Sequence, residues 1–194
     1  MFWQFTKEDI LQKEGHVLFH RIRFCGTPSP ITLAGDIHGQ FEDLVMIFDA
    51  IGDYVDRGRN SLEVICLIFI YSLLYPERFF ILRGNHEEEG VNLRYGLMRE
   101  CRKRMSEIVF DALNDTFNCI SLAAVVNDEV FCCHGGIGPH LNRLKDIEKI
   151  ECPIIPCGDN LANDLLWADP SPYEKSTGFK INWYRRTSWV WGKD

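Results

Sequence analysis

Phe79-Phe80-Ile81-Leu82-Arg83-Gly84-Asn85-His86-Glu87 is the stretch on which the fold reading turns. Its four leading apolar residues, two aromatic and one β-branched, read as a buried strand that runs directly into a glycine, an amide and an imidazole. The pattern has a counterpart upstream, where Ile31-Thr32-Leu33-Ala34 reads as a short buried strand that delivers Gly35-Asp36-Ile37-His38-Gly39. Two further polar clusters, Gly52-Asp53-Tyr54-Val55-Asp56-Arg57-Gly58 and His134-Gly135-Gly136, also follow or close apolar runs. Polar groups at the strand ends of one sheet converge in space although they are far apart in sequence.

Around these clusters the chain alternates strands and helices. Thr6 and Asp9 cap a short helix ended by Gly15, so residues 1–30 are expected to form an N-terminal helical segment and 31–194 the main domain. Phe41 to Ala50 reads as an amphipathic helix, and Asn60 or Ser61 as the cap of a long apolar helix ending at Pro76. Val91 to Ile120 carries two helical stretches. Leu122 to Val126, Asn127-Asp128 and Glu129 to Cys133 form a hairpin that delivers His134. Beyond Cys152 the only periodic fragment is Ser188 to Trp191.

Composition narrows the function. At 194 residues and 46% hydrophobic the chain builds one sizeable core. A net charge of -7 argues against sequence-independent nucleic-acid binding, which needs clustered Lys and Arg. The apolar run Leu62 to Tyr75 contains Glu63 and is shorter than the ~20 residues that span a bilayer, so no membrane is implied. Eight cysteines without CxxC pairs, and Glu8 and Asp9 where a secretory signal is apolar, point to reduced thiols in the cytoplasm or nucleus. Cys132 and Cys133 read as small buried hydrophobes.

The clusters carry metal chemistry. A lone Asp-x-His or Gly-Asn-His is more often a turn or a cap, and it is the four together that decide. Asp, His and Asn offer donors suited to Mn, Fe or Zn, and two such ions sharing a carboxylate activate water against a phosphate ester. Asp53 is the candidate bridge. Asp36 and His38, two apart on an extended segment, can hold one ion, and Asn85 and His134 the second. His86 is left as general acid with Asp56 as its orienting carboxylate, and Arg57 as the phosphate clamp.

The runs GDIHGQFEDL, GDYVDRGRNSLEVICL, FFILRGNHE, VNLRYGLMREC, VFCCHGGIGP and DLLWADP resemble the phosphoprotein phosphatase family of serine/threonine phosphatases, and Phe131 to Gly136 is most similar to its protein phosphatase 1 branch. The resemblance implies an α/β calcineurin-like metallophosphoesterase fold, with layered β-sheets flanked by α-helices. It implies hydrolysis of phosphoserine and phosphothreonine in proteins by a hydroxide activated by two metal ions, with phosphoprotein substrates and regulatory subunits as partners. It places Asp36, His38 and Asp53 on one metal, and Asp53, Asn85 and His134 on the other. It makes His86 the acid partnered by Asp56, and Arg57 and Arg185 the phosphate ligands, although Arg186 replaces a usual glycine.

Two departures accompany it. The chain stops at Asp194, where the family continues through a further histidine ligand, so the domain is expected to be incomplete. Asp36 and Asp53 are 53 − 36 = 17 residues apart, without the family's intervening strand. A helix over Phe41 to Ala50 would carry the chain ~15 Å away, which predicts that Asp53 fails to bridge unless that helix unwinds. The alternatives are a catalytically weak or dead phosphatase-like protein that binds phosphoproteins or regulatory subunits, and a small-molecule phosphoesterase.

Overall fold

The computed structural model describes residues 22–25, 36–41, 52–76, 79–126, 128–173 and 175–193. β1 (Ile22–Cys25) pairs parallel with β2 (Ala123–Val126), which pairs antiparallel with β3 (Val130–Cys133), in the order β1-β2-β3. β2 is buried on both faces, and the two-residue period of a strand divides it between two cores. Ala124 and Val126 join a large cluster with Val64, Ile65, Ile68, Ile81, Leu82, Leu97, Phe110 and Phe117, whereas Ala123 and Val125 pack with Ile147, Ala162, Leu165 and Leu166. The hairpin matches its sequence reading, with Val126 opposite Val130 and Asp128 at φ 57 in the turn.

The long apolar helix is α1 (Ser61–Leu74), within two residues of the expected end. Leu62, Val64, Ile65 and Ile68 are buried, each contributing roughly 1.5–3 kcal/mol. Its N-terminus is capped from another element. Asn60 occupies the N-cap position without a side-chain cap, and the Ser61 and Leu62 N–H groups instead donate to the Glu100 carboxylate at 3.0 and 3.4 Å. Arg104 ties the joint, donating to both Glu63 and Glu100.

Three helices, not two, occupy the segment after the Asn-His-Glu turn: α2 (Glu89–Tyr95), α3 (Leu97–Arg104) and α4 (Glu107–Phe117). The first break falls at Gly96, whose φ of 148° no side-chain-bearing residue adopts readily. Phe79 to Leu82 is buried as expected, but only Ile81 and Leu82 make bridges. The C-terminal region is more ordered than its composition implied. It holds α5 (Leu144–Glu148), α6 (Leu161–Trp167) and a second sheet in the order β4-β6-β5, from β4 (Asp169–Pro170), β5 (Phe179–Ile181) and β6 (Trp189–Trp191). The expected elements at Thr6 to Gly15, Ile31 to Ala34 and, apart from Phe41, Phe41 to Ala50 lie outside the described residues. Within the expected N-terminal helical segment, Ile22–Cys25 is a strand.

Glu100→Ala removes a cap supplied across helices, and the expected loss is about 1 kcal/mol in a urea unfolding experiment.

Candidate active site

Two sequence clusters are joined by one buried carboxylate. Glu87, fully buried at the end of the short 3-10 turn Asn85–Glu87, accepts from the Asp53 and Tyr54 N–H groups at 2.8 Å each and from Gly84 N–H at 2.9 Å. The Tyr54 hydroxyl crosses the same junction, donating to the Leu82 carbonyl at 2.6 Å and accepting from Gly52 N–H at 3.0 Å. The approach leaves no room for side chains at the glycines. A Cβ on Gly52, itself at φ 67°, would stand 2.6 Å from His134 Nδ1, and one on Gly84 would overlap the Asp53 backbone and carboxylate.

The turn bearing Asp36 and His38 docks on the other side of Asp53. Ile37 and His38 N–H donate to the Asp53 carbonyl at 3.0 and 2.7 Å, and Gly39 N–H to the Tyr54 carbonyl at 2.9 Å. Asp53 therefore reaches the Asp36–His38 turn across the 17-residue spacing, the outcome expected if the helix over Phe41 to Ala50 unwinds; the connecting residues 42–51 lie outside the described set. His38, Asp53, Asp56 and Arg57 all have φ between 47° and 72°. Left-handed backbone in non-glycine residues costs about 1–3 kcal/mol each and concentrates at functional sites.

Asp53 is 3% exposed and turns its two oxygens in different directions. Oδ2 lies 3.4 Å from His38 Nε2, and Oδ1 lies 3.3 Å from His134 Nε2 while accepting from His86 N–H at 2.9 Å. Asp36 Oδ2, on the exposed side, is 3.7 Å from His38 Nε2. Donor atoms of Asp36, Asp53 and His134 lie within 4.8 Å of one another, as do those of His38, Asp53 and His86, and Asp53 is common to both groups. Asn85 is buried at the first position of the turn.

These residues fit a metal. His38 Nδ1 lies 2.9 Å from the Val55 carbonyl, which only accepts, so Nδ1 carries the proton and Nε2 is a lone pair. That buried Nε2 has no hydrogen-bond partner and faces two carboxylates, an arrangement that a cation between them resolves. Burial pushes the Glu87 carboxyl up to about 8, and the nearby Asp53 charge adds to the rise against the backbone N–H donors.

His86 is held at both ring nitrogens. Its Nδ1 lies 2.7 Å from Asp56 Oδ2, and Asp56 is fixed in turn by Leu97 N–H at 2.9 Å and Ser61 Oγ at 3.1 Å. Arg57, a donor only, meets His86 Nε2 at 3.1 Å, which assigns the ring proton to Nδ1. The His86 ring also packs edge-on to His38, with centroids 4.6 Å apart. Arg185 is placed differently from the other expected residues. Its guanidinium forms a two-point pair with Asp169 at 2.9 and 3.0 Å and lies 5.9 Å over the Trp167 ring. Hydrogen bonding to Asp169 raises Arg185 above its usual range against its desolvation, and Asp53 contributes to the rise.

Sequence reasoning assigned no role to Glu87, Tyr54, Glu88, Trp167 or Asp169. Glu87 stood in the quoted Gly-Asn-His-Glu run, three residues after Gly84, and that spacing is what lets its carboxylate return to the Gly84 N–H. Trp167 and Asp169 stood in DLLWADP, but nothing in that run indicates that Trp167 N–H reaches Glu88 at 2.6 Å across 79 residues.

A calcineurin-like phosphoesterase family model matches residues 29–194, and the chain belongs to that family. Its fold is similar to a solved protein serine/threonine phosphatase from Saccharomyces cerevisiae, itself described as similar to human phosphatase PP5, with a TM-score of 0.79 and 29% identity over 89% of this chain and 58% of that one. The chain therefore spans less than two thirds of that protein. The resemblance to phosphoprotein phosphatases and the α/β metallophosphoesterase fold are both borne out.

Metal that binds only the folded state raises its stability, by ~2.7 kcal/mol at a hundredfold excess over Kd. Chelator-stripped protein is expected to gain melting temperature on adding manganese, and Asp53→Asn to lose most of that gain, as followed by scanning calorimetry.

Proposed function

We propose that this chain is a metal-dependent protein serine/threonine phosphatase that holds two divalent or transition-metal ions, Mn, Fe or Zn, through Asp36, His38, Asp53, Asn85 and His134. The observation that carries the reading is the Asp56–His86–Arg57 chain set against a buried carboxylate whose two oxygens face different histidines. Such ions, when bound, supply Lewis-acid activation of water and neutralise phosphoryl charge.

The protein's own groups do the rest. Arg57 is exposed, and its guanidinium fork matches a phosphate better than a single ring nitrogen. A phosphorylated substrate would draw Arg57 away from His86 Nε2, freeing that nitrogen to hold a proton for the leaving serine or threonine oxygen. Asp56 keeps Nδ1 protonated and stabilises the ring once both nitrogens carry hydrogen. Phosphate binding and the arming of the acid are thereby one event. Arg185 would join the phosphate after exchanging Asp169 for it.

One observation supports a second reading, a phosphatase-like protein that binds regulatory subunits without turnover. Both arginines expected to bind phosphate are engaged within the chain, Arg57 by His86 and Arg185 by Asp169. For surroundings, the seven cysteines whose side chains are described are free thiols, which supports a reducing cytoplasmic or nuclear setting. No helix among the described residues is long and apolar enough to cross a membrane.

Manganese-dependent release of phosphate from a phosphothreonine peptide tests the proposal. His86→Asn should lower kcat by about 10²–10⁴-fold while keeping the manganese-induced rise in melting temperature. Full kcat in that variant would remove the acid assignment. Faster turnover of a simple aryl phosphate than of peptides would favour the small-molecule reading.

A further inference from the structure

Beside the catalytic turn, the start of α2 opposes the loop carrying Ile155 and Pro156, and between them lies a groove of about 380 Å³. Its walls are of two kinds. Leu93, Ile155 and Pro156 are aliphatic, with Leu93 48% and Ile155 75% exposed. Glu88 and Glu89 supply two carboxylates, and among the described residues neither has a cation within ion-pair distance.

The one basic residue that lines the groove is Arg83, and its guanidinium is turned inward. It is 1% exposed and donates to the Glu87 carbonyl, the Ile154 carbonyl at 2.8 Å and Asn118 Oδ1 at 2.9 Å. The face presented to solvent is therefore acidic and aliphatic together. Half-buried Glu88 is raised above its usual range by burial, against the opposing influence of the Trp167 hydrogen bond and the Arg83 charge. One of its oxygens accepts from the Trp167 indole Nε1–H at 2.6 Å, which fixes the carboxylate and leaves the other oxygen for an occupant.

The groove is continuous with the candidate active site on two sides. Glu88 follows His86 by two residues in the same turn, and the Trp167 ring that orients Glu88 lies under Arg185. The groove therefore borders the site in sequence at Glu88 and in space through Trp167 and Arg185.

We propose that this groove is a specificity subsite for a basic side chain, lysine or arginine, flanking the phosphorylated residue of the substrate, with the aliphatic stem against Leu93, Ile155 and Pro156 and the charged end on Glu88 and Glu89. The occupant's chemistry follows from the two walls. A long apolar side chain would leave Glu88 uncompensated in a partly dry setting, an acidic one would be repelled, and a basic one satisfies both surfaces. The proposal names the substrate class of the adjoining site and rests on the phosphatase reading.

Two measurements separate the two ideas. Turnover of a small aryl phosphate, which has no flanking residue, reports on the phosphatase reading alone. Affinity for a fluorescent phosphothreonine peptide, by anisotropy in the presence of manganese, reports on the groove even if turnover is absent. In a peptide series with a single lysine moved through otherwise alanine flanks, one position should bind about five- to tenfold more tightly than the alanine peptide. That preference should fall to parity in the Glu88→Gln/Glu89→Gln protein. Glu89→Lys, at an exposed position that folding does not depend on, should turn the preference toward a glutamate-flanked peptide. Equal affinity across the series, or a lysine preference that survives the double substitution and Glu89→Lys alike, overturns the proposal.

Discussion

The Glu87 carboxylate is the constraint on which the site depends. With one side chain it gathers N–H groups from Asp53, Tyr54 and Gly84, and so joins two clusters separated by more than thirty residues of sequence. Leaving a buried N–H donor without its acceptor costs about 1–3 kcal/mol each, the scale of strain carried by the left-handed backbone at Asp53, Asp56 and Arg57. Without these bonds the second cluster would have a reason to relax into an ordinary turn. Asp53 would then rotate its two oxygens away from His38 and His134.

A second layer of orientation rests on that joint. The Asp56 carboxylate accepts Leu97 N–H from the start of α3, and the Asp56 N–H donates to the Ser61 hydroxyl oxygen at the start of α1, so two helices determine where its carboxylate meets His86. Glu100 on α3 caps α1 from the same side, which couples helix ends to the ring nitrogen through packing. The placement of the His86 ring therefore comes from regular elements, although His86 itself stands in a short turn.

Much of this was legible in the sequence, for definite reasons. The hairpin ending at Cys133 and the long helix after Asn60 are strong periodic signals of ordinary length, and both appear nearly as read. The four polar clusters stand out because glycines flank acids and imidazoles at apolar run ends, and the structure brings Asp36, His38, Asp53, His86 and His134 together. What failed to show was anything decided by tertiary partners. The cap of α1 comes from Glu100 on another helix, the split of the Val91 to Ile120 region turns on the backbone angle at Gly96, and the sheet of β4, β5 and β6 is made of two- and three-residue strands too short to carry a period. The pairing of Ile37 and His38 N–H with the Asp53 carbonyl is likewise a tertiary contact that the 17-residue spacing does not reveal.

Charge gives the remaining logic. The centre gathers Asp36, Asp53, Asp56 and Glu87, of which the last three are buried, against Arg57 as the cation in direct contact with His86. A protein that buries this many carboxylates without bound cations would lose stability to their mutual repulsion and desolvation, in a medium where charges are poorly screened. The same excess would repel a phosphate dianion. Cations held by the carboxylates answer both problems, and they explain why His38 is built with its lone pair aimed inward and no hydrogen to accept. Arg57 and Arg185 then need not neutralise the centre. Each rests instead on an internal partner, Arg57 on His86 and Arg185 on Asp169.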